Sequence, residues 1–132
     1  MDSAVERLMQ IAIDATEHAY IPYSEYPVGA ALRAVDGVVF SGCNIENAAY
    51  PSTICAERVA LVKAVSEGRR AFDLLVVVTR DGGSPCGTCR QMLYEFAPDL
   101  RVVFGDMNGQ VMFDGPLSDL LPYGFGPSNL DK

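Results

Sequence analysis

Three cysteines and a glutamate stand at spacings that suit a metal centre able to activate water. They are Cys55 and Glu57 in Cys55-Ala56-Glu57, and Cys86 and Cys89 in Pro85-Cys86-Gly87-Thr88-Cys89. A structural zinc is normally closed by four protein ligands, whereas a catalytic one keeps three and leaves the fourth position open. Cys55, Cys86 and Cys89 supply three thiols. Glu57 follows the first of them by two residues and is suited to moving protons rather than to closing the site. The chemistry this implies is hydrolysis, with one zinc per chain polarising a water and Glu57 as general acid and base. Three thiolates leave the metal unit negative, which weakens its pull on water. Arg58, beside Glu57, is the nearest cation in sequence. It is expected to donate hydrogen bonds to a ligating sulfur and so restore Lewis acidity.

Such a centre needs two helix starts brought to one point. Helix N-termini carry free N–H groups and positive partial charge, which lower a thiol's pKa and favour thiolate. The sequence places both motifs there. Helices are expected over residues 54–67, ending at Gly68, and over 86–96, halted by Pro98. An amphipathic helix is expected over 3–20, with Val5, Leu8, Met9, Ala12, Ile13 and Thr16 at helical spacing, Ser3 and Glu6 as a capping box, and Pro22 as its stop. A Pro/Tyr-rich loop follows. Apolar runs at 28–34 and 38–43 flank the turn signal Asp36-Gly37. Residues 42–53 lack a period and read as a long loop. The continuous apolar run 74–79 reads as a strand covered on both faces. Strands at 100–104 and 110–113, joined at Asn108-Gly109, precede a short helix at 117–121 and a Gly/Pro-rich tail. The order α-β-β-α-β-α-β-β-α predicts one layered α/β domain over residues 1–132, a mixed five-stranded sheet with helices packed on both faces.

Composition narrows the partners. The 132-residue chain carries a net charge of −7 and has no cluster of Lys and Arg. Polynucleotide binding draws on a basic face that releases phosphate counterions, so a DNA or RNA substrate is not expected. A small, weakly charged molecule fits better. No apolar run approaches the ~20 residues of a membrane span, and the acidic start Met1-Asp2-Ser3 does not read as a secretory signal. A cytoplasmic location is expected. The four cysteines then point to metal or redox chemistry rather than disulfides.

Other readings of the same residues compete. Cys86-Gly87-Thr88-Cys89 at a strand–helix junction could be a thiol–disulfide redox pair, which leaves Cys55 and Glu57 without a purpose. His18 or Cys43 could close the site as a fourth ligand, although His18 lies near a helix end outside any ligand motif and Cys43 reads most simply as a small buried hydrophobe. The cysteines could also be inert core residues, and Glu57 a favourable charge in a first helical turn.

A three-ligand site that can be all cysteine, a non-ligating Glu and a Pro-Cys-x-x-Cys run together describe the zinc-dependent nucleobase deaminases. Within them, Gly42-Cys43-Asn44-Ile45-Glu46-Asn47-Ala48-Ala49-Tyr50, Cys55-Ala56-Glu57-Arg58 and Ser84-Pro85-Cys86-Gly87-Thr88-Cys89-Arg90-Gln91 resemble the small homotetrameric cytidine deaminases. Tyr23-Ser24-Glu25-Tyr26-Pro27-Val28-Gly29-Ala30-Ala31-Leu32 and Leu120-Leu121-Pro122-Tyr123-Gly124-Phe125 fit as well, so the resemblance spans nearly the whole chain. It implies zinc on Cys55, Cys86 and Cys89, with Glu57 carrying protons to ring N3 and to the exocyclic amine. Cytidine and 2′-deoxycytidine would become the uridine forms with release of ammonia, in pyrimidine salvage. Asn44 and Glu46 would hold the ribose 3′-hydroxyl, the Ala56 N–H the base O2, and the Ser84 carbonyl the leaving amine. Tyr26 would stack on the base where the family usually has Phe, and its hydroxyl then needs a partner or water. Phe125 would enter a neighbouring subunit's site, so that the homotetramer completes what one protomer lacks. A blasticidin-type aminonucleoside deaminase is the nearest rival, and Asn44-x-Glu46-Asn47 favours the nucleoside enzymes. An RNA-acting relative typically has His where Cys55 stands.

Overall fold

β3 (Phe72–Thr79) is the centre of the molecule. Its run Leu74–Val78 is apolar at every position, and all five side chains are buried, so both of its faces are covered. In this computed structural model, which describes residues 2–130, β3 pairs antiparallel with β1 (Val28–Ala34) and parallel with β4 (Arg101–Asp106). Met1 and residues 131–132, which the sequence reading counts in the domain, lie outside the described residues. β2 (Val39–Cys43) and β5 (Val111–Pro116) add antiparallel edges, giving a five-stranded mixed sheet in the order β2-β1-β3-β4-β5. The Asp36-Gly37 turn joins β1 to β2, with Gly37 at φ +94, a conformation glycine adopts without steric cost.

Helices cover both faces. α1 (Ser3–Ala15) packs Val5, Leu8, Met9 and Ala12 on Ala31, Leu74, Val76, Val78 and Val103. On the other face, α2 (Ala56–Ser66) and α3 (Gly87–Phe96) pack on Ala30, Leu32, Leu75, Val77 and Val102. Parallel strands need a crossover, and α3 supplies it between β3 and β4. A short helix, α4 (Leu117–Leu120), sends Leu117 into the same core. Small residues on α2, namely Ala56, Ala60 and Ala64, let it lie close to the sheet.

Several local boundaries differ from expectation. The cap of α1 is Asp2, not Ser3: its carboxylate accepts from the Val5 N–H at 2.9 Å. The helix also ends at Ala15 and passes through a 3-10 turn at Thr16–His18, short of the expected residue 20. The Thr16 hydroxyl donates to the Ile13 carbonyl, and Tyr20 is drawn out by extended pairing, its N–H donating to Asn44 O and its carbonyl accepting from the Glu46 N–H. The stretch read as one long loop holds a bridge between Ile45 and Ile54 and a 3-10 turn at Tyr50–Ser52. β3 starts at Phe72, because exposed Asp73 pairs with Arg33 at 2.8 Å and so hides the strand's apolar start, while β4 and β5 each run past their expected ends.

Candidate active site

Both helix starts converge beyond the end of β3. Cys55 is the N-cap of α2 and Cys86 the N-cap of α3, with Cys89 in the first turn of α3. Cys55 Sγ lies 3.7 Å from Cys86 Sγ, and Cys86 Sγ lies 3.2 Å from Cys89 Sγ. Tetrahedral zinc with Zn–S bonds of about 2.3 Å sets its sulfurs about 3.8 Å apart. The three donors therefore fit one zinc ion, and all their ligand atoms lie within 4.8 Å of one another. Neither His18 nor Cys43 joins them. Those two line a separate cavity of about 130 Å³ with Lys63, so among the described residues the cluster has three ligands. The third thiol beside Cys86 and Cys89 favours a metal centre over a simple redox pair.

The thiols are electrostatically unequal. Hydrogen bonds from Cys89 and then Arg58 pull the Cys55 thiol down to about 5, well below its ordinary value, so it is a thiolate at neutral pH. The adjoining Cys55 sulfur pushes Cys89 up. Arg58 lies against the first thiol: Nη2 donates to the Thr53 carbonyl at 3.1 Å and reaches Cys55 Sγ at 3.7 Å. Its Nε is buried and has no partner among the described residues. Glu57 is only 3% exposed, and burial is the first cause that raises its pKa. A carboxyl so placed holds a proton more readily than one in water, as a general acid and base requires.

Glu57 opens into a cavity of about 180 Å³ that it lines with Cys55, Cys86, Tyr26, Asn44 and Ser84. Asn44 is 8% exposed and stitches the entry to β1: Oδ1 accepts from the Val28 N–H at 3.0 Å and Nδ2 donates to the Tyr26 carbonyl at 2.8 Å. A primary amide has two donors and two acceptor sites, so one of each remains for a ligand. Glu46 lies elsewhere. It lines an adjoining cavity of about 340 Å³ with Tyr23, Ser24 and Tyr50, and Thr53 lines both. Its carboxylate accepts from the N–H groups of Tyr23 at 2.9 Å and Ser24 at 3.1 Å, and from the Ser24 hydroxyl, which holds it below the usual carboxylate range. Ala56 is wholly buried in the first turn of α2, where a helix leaves its backbone N–H groups free, and α2 has no side-chain cap to take them.

Phe125 is the outlier. It is 56% exposed and lies outside both cavities, its carbonyl accepting from Gln91 Nε2 at 2.8 Å. Sequence reasoning also missed cavity residues. Thr79 ends β3, still buried, and its only signal is a hydroxyl closing an otherwise apolar run. Thr53 sits in the stretch without period and gave no signal.

Comparison with known proteins bears on this geometry. Residues 2–106 match the family described as the cytidine and deoxycytidylate deaminase zinc-binding region. A cytidine deaminase of Sporosarcina psychrophila is 46% identical over 129 residues, covering 96% of this chain and 94% of the relative. A blasticidin-S deaminase of Bacillus cereus is more distant, 34% identical over 120 residues, with 82% of this chain and 84% of the relative covered. The crystal structure of a cytidine deaminase from Burkholderia pseudomallei superposes with a TM-score of 0.88 at 44% identity, covering 95% of this chain and 100% of that one.

Proposed function

The chain belongs to the cytidine and deoxycytidylate deaminase family, zinc-dependent hydrolases of carbon–nitrogen bonds, and on that premise we propose how its residues convert cytidine and 2′-deoxycytidine to the uridine forms with release of ammonia. The observation that carries the reading is the three-thiol cluster, two of whose members, Cys55 and Cys86, line one cavity with buried Glu57.

Cys55, Cys86 and Cys89 would hold a zinc ion, which when bound would supply the Lewis acidity that makes water a nucleophile at neutral pH. Glu57 takes a proton from the attacking water and passes it to ring N3, which makes C4 electrophilic. It then carries the remaining water-derived proton, from the hydroxyl now on C4, to the exocyclic amine, which leaves as ammonia rather than as an amide ion. The raised pKa of Glu57 supports both transfers, because the carboxyl must hold a proton between them. Arg58 offsets the charge of three thiolates through Cys55. Tyr26 stacks on the base. The Ala56 N–H donates to O2, and the Ser84 carbonyl accepts from the amine. Such buried polar contacts reject analogues that leave them unpaired. Asn44, with its spare donor and acceptor, holds the ribose 3′-hydroxyl, and Glu46 does so from the adjoining cavity.

Residues 1–132 act as a single domain in pyrimidine salvage, with nucleosides rather than nucleic acid as substrate. No helix among the described residues is long and apolar enough to cross a membrane. A site of three thiolates requires reduced cysteines, which supports a cytoplasmic location. The chain works as a homotetramer in which Phe125 serves a neighbour's site. Supporting this, Ile45 is bridged to both Tyr20 and Ile54, yet all three leave large side chains exposed, and Tyr50 beside Tyr23 is 71% exposed. Contiguous apolar surface of this kind marks an interface.

The test is Glu57→Gln. The variant keeps one zinc per chain, and ammonia release from cytidine falls by roughly 10²–10⁴-fold, the usual contribution of general acid–base catalysis. The wild type is assayed beside it on cytidine, deoxycytidine, CMP, cytosine, adenosine and blasticidin S. Release confined to blasticidin S would move the substrate, and an active Glu57→Gln would remove the assignment of Glu57.

A further inference from the structure

The Tyr26 hydroxyl has a partner. It donates to Asp81, 55 residues away in sequence. The same Asp81 oxygen accepts from the Thr79 hydroxyl at 3.3 Å, and Thr79 Oγ1 in turn accepts from the Gly83 N–H at 2.7 Å. A hydroxyl has one proton to give. The donor order is therefore fixed: Gly83 to Thr79, Thr79 to Asp81, with Tyr26 closing on the same carboxylate. The Arg80 guanidinium stands over the Tyr26 ring at 5.0 Å from its centroid. Gly83 leaves the space the hydroxyl occupies, since a Cβ there would meet Tyr26 Oη at 3.2 Å.

We propose that Asp81 is a positioning residue for the reaction, setting through the Tyr26 hydroxyl the orientation of the ring that receives the base. The proposal rests on the reading that Tyr26 stacks on the base. Tyr26, Thr79 and Gly83 all line the cavity with Glu57 and Cys55, whereas Asp81 does not and acts only through them. The loop that carries Tyr26 is shaped for this. Glu25 is held at φ +55, a left-handed conformation that non-glycine residues rarely adopt, and Ser24 Oγ accepts from the Tyr26 N–H at 3.0 Å. The Tyr26 hydroxyl holds the Asp81 carboxyl below its ordinary range, while burial and then Asp81 push the phenol up. The donor stays protonated and the acceptor ionised. The contact also ties the loop before β1 to the loop that continues through Ser84 into Cys86, so the stacking ring and the carbonyl assigned to the leaving amine are registered against each other.

The experiment measures kcat, KM and zinc content with cytidine for Asp81→Ala, Asp81→Asn, Tyr26→Phe and the double variant Tyr26→Phe/Asp81→Ala. Loss of one hydrogen bond to a charged group is expected to raise KM about tenfold in Asp81→Ala and in Tyr26→Phe. In Asp81→Ala, kcat is expected to stay within about threefold, because no reacting atom is touched. The double variant is expected to be no worse than either single, since both remove the same contact. Asp81→Asn keeps an oxygen that accepts from the phenol, and its KM is expected to return most of the way to wild type. A generally loosened fold would not be rescued in this way. An active wild type whose KM is unmoved by Tyr26→Phe, or losses that simply add in the double variant, would overturn the proposal alone. A wild type that releases no ammonia from any cytidine nucleoside would overturn the functional reading and this one with it.

Discussion

Arg58 carries two jobs on one guanidinium. Nη2 holds the Thr53 carbonyl and reaches Cys55 Sγ, while the buried Nε has no partner among the described residues. A buried, unsatisfied donor costs free energy, and such cost is commonly met at functional groups. Truncating Arg58 to Ala removes a donor from a thiolate but leaves all three thiols in place. We expect zinc per chain to stay near one and turnover to fall by roughly 10–100-fold, the usual effect of losing a group that orients a metal ligand. Metal analysis beside a cytidine assay checks this, and unchanged turnover would dismiss the charge-offset role. At this scale the sequence was most informative, because chemistry restricts residue type. Few side chains bind zinc, so the cluster of Cys55, Cys86 and Cys89 was legible from spacing alone, and Glu57 stands beside it in the same first turn. Asn44 and Glu46 were less so. Their side chains bond mainly to backbone groups of residues 23–28, three N–H groups and the Tyr26 carbonyl. A backbone donor looks the same at every residue and leaves no trace in the sequence.

The site depends on how closely α2 lies against the sheet, because its first turn carries Cys55 and Glu57 together. Gly42 on β2 sets that approach. A Cβ there would stand 2.7 Å from the Ala60 amide nitrogen and 3.1 Å from Val59 Cβ, contacts with the helix itself that no flexible side chain can relieve. Gly42→Ala should therefore push α2 outward and cost about 1–3 kcal/mol, as overpacking usually does. A lowered urea midpoint with unchanged slope would register it, and a midpoint equal to wild type would show that α2 has room to spare. kcat/KM should fall as well, since the displaced turn carries Glu57. The elements themselves were legible where burial imposes a period. α1 shows its stripe, and β3 reads as covered on both faces because it is. Boundaries failed where a distant partner decides them. α1 stops early because Tyr20 pairs with the segment around Ile45, and β5 runs on to Pro116 because β4 is there to pair with it. Periodicity within a segment says nothing about such partners.

Assembly is the scale at which the sequence was least legible. Composition and periodicity contain no symmetry operator, and only the fold reveals which apolar side chains stay exposed together. Phe125 makes the question experimental. It lies outside both cavities of its own chain, while Gln91 on the metal-bearing helix fixes its carbonyl. If the ring serves a neighbour, Phe125→Ala should raise KM for cytidine while leaving zinc content at one per chain. Mixing offers a sharper reading. Glu57→Gln chains have an intact Phe125 but no proton carrier, and Phe125→Ala chains have the reverse. In a hybrid, a Glu57→Gln chain can lend its Phe125 to the site of a Phe125→Ala neighbour. Random exchange of equal amounts then leaves roughly a quarter of the sites with both groups intact. Activity with wild-type KM should appear on mixing, and light scattering should report a tetramer throughout. If Phe125 acts only within its own chain, no site in the mixture holds both groups, and the mixed sample shows no more activity than the two variants measured apart.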